Sequence, residues 1–197
     1  MITTRHRLAL GWSLTYLSTI LFFLNEEAKM EGKRVKESSV AISHVMEPQD
    51  ANIAGNVHGG VIMKHVDTAA GFVAARHARS NCVTASIDRL DFHHPVFVGN
   101  LLTLRASINF VGRTSMEIGV RAETEDVITG QVRHTASAYL TFVALDGNGR
   151  PREIPSLILE SEEETRRNRE AKARRETRLR EKTQEKECQQ DFDTCDL

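Results

Sequence analysis

At 197 residues the chain is long enough for one domain of ordinary size with appendages at its ends. Its 26 Lys and Arg against 27 Asp and Glu leave a formal charge of −1, which removes any whole-chain electrostatic case for nucleic acid or an anionic membrane. The three cysteines, Cys82, Cys188 and Cys195, form neither a disulfide framework nor a metal-ligand spacing, as suits a reducing compartment.

The first segment argues the other way. Residues 8–24 form an unbroken apolar run behind Arg5 and Arg7, and at a helical rise they span about 26 Å, just short of a hydrocarbon core of about 30 Å. Residues 1–29 therefore have three readings: a dispensable extension upstream of Met30, a membrane anchor, or a signal peptide without an obvious small-residue cleavage site. Ser39 to Met46 reads as a first strand. Val61 to about Ala78 is apolar and Ala-rich, long enough to be a helix, and follows a double glycine. A period of two then takes over in Val83–Phe92, Leu101–Val111, Ser115–Val127 and His134–Leu145, separated by turn residues at Pro95, Gly99, Gly112, Gly130 and Asp146–Gly149. Strand, long helix and four antiparallel strands make an α+β layout with the helix against one face of the sheet. From Glu160 to Glu187 nearly every residue is Glu, Arg or Lys. Pairs such as Glu162–Arg166 and Glu170–Arg174 support a helix, yet no apolar stripe marks a packing face, so a solvated helix is expected. The locally basic stretch from Arg166 to Lys182 leaves weak contact with RNA or an anionic surface as the second reading. Three regions follow: residues 1–29, a domain over 30–158, and a charged tail over 159–197.

Asp67 is the residue that does not fit an ordinary buried helix. It shares a face with Gly60, Met63, Ala70, Gly71 and Ala74, small residues that let a ligand or another backbone approach. An ion pair with Lys64 is one explanation; a carboxylate placed to act as base or nucleophile is the other. His58-Gly59-Gly60 stands at the helix start, where backbone N–H groups lack partners and the helix dipole is positive, so the Gly60 N–H is a donor for a carbonyl or oxyanion, unless the glycines merely permit a tight turn. His58 itself reads as a packing or capping histidine before a ligand or base. Asn52 and Asn56 lie in the preceding loop, where an amide serves a turn or positions a substrate. No Gly-x-Ser-x-Gly elbow or Cys-centred motif appears, and no metal site is indicated.

The run from Asp50 to Asp67, Asp-Ala-Asn-Ile-Ala-Gly-Asn-Val-His-Gly-Gly-Val-Ile-Met-Lys-His-Val-Asp, resembles the motif of hotdog-fold acyl-CoA thioesterases. The stretches at 91–99, 111–120 and 137–151 resemble that family too. The resemblance covers about residues 38–158. It implies a long central helix wrapped by a five- to six-stranded antiparallel sheet, with two such domains joined edge to edge and commonly three dimers in a hexamer. It implies hydrolysis of acyl-CoA to a fatty acid and coenzyme A without a cofactor. Asp67 is then the catalytic carboxylate, as base or nucleophile, Asn52 comes from the other subunit, Thr84 completes the set and the Gly60 N–H polarises the thioester. His58, Gly59, Arg113, Thr114 and Ser115 are the expected coenzyme A contacts. A cytoplasmic location follows, unless residues 8–24 anchor the chain. A hotdog acyl-CoA sensor that does not cleave and a hotdog enoyl-CoA hydratase are the rival implications.

Overall fold

The computed structural model describes residues 30–190, so the apolar run at 8–24 and residues 191–197 lie outside it. The chain divides at Met30, and the architecture below is that of the unit Glu31–Leu197. Its elements are β1 (Lys33–Arg34), the one-turn α1 (Val35–Ser38), β2 (Val40–Val45), α2 (Gly59–Ala78), β3 (Asn81–Phe92), β4 (Leu101–Val111), β5 (Ser115–Asp126), β6 (Gln131–Leu145), β7 (Leu157–Ile158) and α3 (Glu162–Gln190). The central helix and the long strands fall where their periodicities place them. β1 and β7, two residues each and paired in parallel, are too short to leave a pattern in sequence.

The main sheet has five strands in the order β2-β4-β5-β6-β3, every neighbour antiparallel. β2 and β3 are its edges, and α2 connects them by crossing the inner face. Alternate residues of each strand point inward, among them Leu104, Ile108, Ile118, Leu140 and Phe142, and meet Ile62, Val66, Ala69, Ala70, Val73 and Ala74 of the helix. The three alanines are fully buried; their single methyls let the helix axis settle close to the sheet. Each large aliphatic or aromatic side chain sealed there contributes about 1.5–3 kcal/mol, and an enlarged residue at Ala70 would cost about 1–3 kcal/mol through overpacking. The face that the sequence groups as one small-residue stripe is thus divided. Ala70 and Ala74 pack on the sheet, while Gly60, Met63, Asp67 and Gly71 keep some exposure.

The helix ends at Arg79, which adopts a left-handed φ of 51° and donates its N–H to the Ala75 carbonyl. Two residues earlier His77 is fully buried. Its Nε2 lies 2.8 Å from the Pro155 carbonyl and its Nδ1 3.3 Å from the Ser38 hydroxyl. Nε2 therefore carries the proton and Nδ1 accepts. Burial holds this imidazole below its ordinary pKa. The edge strand β3 is irregular: Ala85 and Asp88 have no partner on β6, so the strand is bulged twice.

The tail differs from the expected solvated helix. The first half of α3 lies on the outer face of the sheet. Ala171 is fully buried, Asn168 donates Nδ2 to the Asn109 carbonyl at 2.8 Å, and Arg174 donates to both oxygens of Glu117 at 2.6 and 3.2 Å. The Arg174 guanidinium also stacks 3.8 Å from the Tyr139 ring centroid. Burial disfavours its charge, but the Glu117 carboxylate outweighs that and holds the pKa above the ordinary arginine value. The reason for the difference is chemical. The outer face offers Glu117, Asn109 and Tyr139 where a conventional sheet offers aliphatics, so the matching helix face is built from Arg and Asn and leaves no hydrophobic stripe.

Among the described residues no helix is long and apolar enough to cross a membrane.

Candidate active site

Asp67 lies two turns into α2, half-buried on the side of the helix nearest β3. Thr84, early in β3, donates its hydroxyl to Asp67 Oδ1 at 2.6 Å. That bond fixes the carboxylate plane and leaves Oδ2 without a hydrogen-bond donor among the described residues. The Lys64 ion pair is not made; no cation contacts Asp67 among the described residues. Since β3 is an edge strand, this couple faces the open side of the sheet. Cys82, two residues before Thr84, is no rival nucleophile: burial pushes its thiol above the ordinary value.

The helix start carries a correction. His58 is the N-cap residue, and its Nδ1 accepts the Gly60 N–H at 2.9 Å. The donor expected to be free at Gly60 is therefore engaged by its own chain. The N–H of Gly59, the first helical residue, has no acceptor among the described residues and lies at the positive end of the dipole. The capping role read for His58 is the one the structure shows. What the sequence leaves open is the cap's partner, because with the helix placed from Val61 both glycines look alike.

Asn52 sits in a small hairpin closed by a bridge between Ala51 and Val57. Its Oδ1 accepts the Ala54 N–H at 2.8 Å and its own N–H donates to the Asn56 carbonyl at 2.7 Å, and Nδ2 has no acceptor among the described residues. Gly55 turns the loop with φ 85°. The tip residue Ile53 is wholly exposed, at 109% of its reference area. Within one chain no hydrogen bond joins Asn52 to Asp67 among the described residues. Gly59 and Asp67 are eight residues apart on α2, about 12 Å along the axis.

The expected coenzyme A contacts separate into two groups. His58 and Gly59 stand at the helix start beside a cleft of about 320 Å³, lined by Asn56, Ile62, Phe92, His94 and Val96 among others. Phe92 and His94 were not anticipated; an exposed aromatic at a strand end leaves no periodic signal. Arg113, Thr114 and Ser115 form the β4–β5 turn at the far end of the sheet. Met116 pairs with Phe142 and Phe142 with Thr84, which puts this turn two strands from the Asp67–Thr84 couple, about 10 Å. Arg113 reaches Glu153 at 3.8 Å on the surface. Among the described residues no three His, Cys, Asp or Glu side chains gather as metal ligands.

Comparison with known proteins agrees with this fold. Residues 54–131 match the model of the thioesterase superfamily. The mouse cytosolic acyl coenzyme A thioester hydrolase is 40% identical over 146 residues, 73% of this chain; the chain spans about 38% of that relative's length. A hexameric acyl-CoA thioesterase crystallised without ligand aligns with TM-score 0.75 and 36% identity, over 77% of this chain and 97% of its own. The acyl-CoA hydrolase of Staphylococcus aureus, solved with butyryl coenzyme A, coenzyme A and coenzyme A disulfide, aligns with TM-score 0.75 and 32% identity, over 81% and 98%. That enzyme has been solved with alanine at one asparagine, at an aspartate fifteen residues later and at a threonine seventeen beyond it. Asn52, Asp67 and Thr84 have the same spacing.

Proposed function

The chain belongs to the acyl-CoA thioester hydrolases of the thioesterase superfamily, and on that premise we propose that it hydrolyses acyl-CoA to a carboxylic acid and coenzyme A at a site shared between two subunits. One observation carries the shared site. A thioester carbonyl reaches a donor and a carboxylate no more than about 7 Å apart, with each contact near 3 Å. The Gly59 N–H and Asp67 of one helix are separated by about 12 Å. They serve one substrate if a second copy joins along β3, where the Asp67–Thr84 couple faces outward, and brings its own helix start and Asn52 loop alongside. The exposed Val83, Ile87 and Phe92 of β3 and the exposed Ile53 are groups that such pairing covers, and it satisfies the open strand edge.

In the shared site the substrate oxygen accepts from the partner's Gly59 N–H, and the partner's Asn52 amide holds a water. Asp67 Oδ2 takes a proton from that water as its oxygen attacks the carbonyl carbon. The C–S bond then breaks, and Asp67 returns the proton to the leaving sulfur. Thr84 keeps the carboxylate aimed. Three such dimers make six chains, the number in the hexameric relative.

The test is complementation. Asn52→Ala and Asp67→Asn each remove one half of every site, so each homo-oligomer loses about 10²-fold or more in turnover of a saturated acyl-CoA, followed by free thiol release. Co-refolding the two at equal ratio makes half the dimers mixed, each with one intact site, and restores about a quarter of the parent activity. No recovery places Asn52 and Asp67 in one chain; full activity in Asp67→Asn overturns the assignment altogether.

A further inference from the structure

The tail helix crosses the sheet and keeps going. Along α3, Arg167 reaches Ser107 and Asn168 reaches Asn109 on β4, Arg174 grips Glu117 on β5 above Tyr139 of β6, and Arg178 contacts Asp88 on β3. From Asn168 to Arg178 the helix rises about 15 Å. The three strand spacings from β4 to β3 amount to about 14 Å. The axis therefore runs across the strands, and at Arg178 it stands over the open edge. Helix continues from Leu179 to Gln190, about 18 Å beyond that edge.

Nothing in its own chain holds this distal half among the described residues. Leu179 through Glu187 are exposed, Leu179 at 46%, and their side-chain bonds stay within the helix. The sequence gives it little help alone. Glu181 and Glu185, and Lys182 and Lys186, place like charges at i,i+4, where the proximal half pairs Arg166 with Glu170 and Arg167 with Glu163. Twelve residues of such helix are marginal in water without a surface to lie on.

We propose that Leu179–Gln190 is an arm that lies over the outer face of a second copy of this chain, across the seam between paired β3 strands. This rests on the edge-paired dimer proposed above. Extending the sheet through β3 puts the second copy's β3 and then its β6 beneath the arm at the same spacing, and 18 Å covers more than three strands. The surface offered there is polar. Ser86 and Arg89 are the β3 residues opposite Thr141 and Tyr139, on the same face as Glu117, which suits an arm of Arg, Lys, Glu and Gln. The symmetry is isologous, so each copy gives one arm and receives one. The tail then works as an assembly element, with its proximal half riveted to its own sheet and its distal half to its neighbour's.

The experiment uses the full chain carrying Glu185→p-benzoylphenylalanine, prepared as an equal mixture of isotopically light and heavy protein, irradiated and mapped by mass spectrometry. Light–heavy cross-links landing on β3 or β6 are expected. Cross-links confined to one chain, or none, in a preparation that light scattering shows to be dimeric or larger overturn the arm and leave the edge-paired dimer standing. A monomeric preparation overturns both. A second variant ending at Arg178 is expected to dissociate at least tenfold more readily on dilution; unchanged dissociation refutes the arm.

Discussion

Replacing Arg174 by Met isolates what holds the tail to the sheet. The Glu117 side chain is 1% exposed and that of Arg174 24%; without the guanidinium, Glu117 keeps the Asn109 amide at 3.2 Å as its remaining donor. Breaking a buried pair costs about 3–5 kcal/mol because one charge is left uncompensated. Since a quarter of Arg174 is open to water, the lower end applies, about 3 kcal/mol, and loss of the stack on Tyr139 adds about 0.5–1 kcal/mol. For a domain of this size each kcal/mol moves the melting temperature by about 2–4 °C, so a fall of about 10 °C is expected. Circular dichroism melts at fixed protein concentration measure it, because assembly makes the midpoint concentration-dependent. The combined Glu117→Met and Arg174→Met variant removes both charges and is expected to return to within about 1 kcal/mol of the parent. A single variant melting within about 2 °C of the parent, or a double as weak as the single, refutes the reasoning.

Gly59→Pro deletes one backbone N–H at the first helical position, where proline is accepted, and His58 already has the extended ψ of 130° that a following proline requires. The melt should be unchanged while kcat falls about 10²-fold or more; a normal kcat shows that the Gly59 donor is idle. Thr84→Val removes the hydroxyl on Asp67 and is expected to lower kcat about tenfold or more with KM nearly constant; a change confined to KM assigns Thr84 to substrate binding instead. His77, held below its ordinary pKa by burial, binds its proton more weakly folded than unfolded. Stability is therefore full above the ordinary histidine pKa of about 6.5 and declines as pH falls below it. Urea midpoints at pH 7.5 and 5.5 should show the drop, and His77→Gln should shrink it; an equal drop in the variant assigns the effect to other groups, such as His65 and His134, whose pKa values burial also lowers.

Elements governed by apolar spacing were legible in the sequence. Four strands and a helix alternate with periods of two and 3.6, and the turns between them carry Gly, Pro and Asp. Asp67 stood out for a related reason, a charge among small residues. What escaped is whatever depends on polar partners distant in the chain. Arg174 finds Glu117 across 57 residues of sequence, and no local pattern announces it. The Gly59–Gly60 distinction turned on a helix boundary two residues off, within the usual fraying of helix ends. The Asp67–Thr84 contact, between positions on helix and strand, needed the bulge at Ala85 as well as the alternation.

That bulge has a consequence for who is allowed to pair. A long edge strand with exposed Val83, Ile87 and Phe92 could recruit any extended peptide, the usual route to misassembly. With Ala85 and Asp88 inserted, the ladder of donors and acceptors on β3 is broken at two places and its twist is steepened. In the proposed dimer the second β3 carries the same two irregularities, so an antiparallel copy can meet each with its own, while a flat strand matches at most a few rungs. What selects the partner in that dimer is the backbone of the edge rather than any side chain.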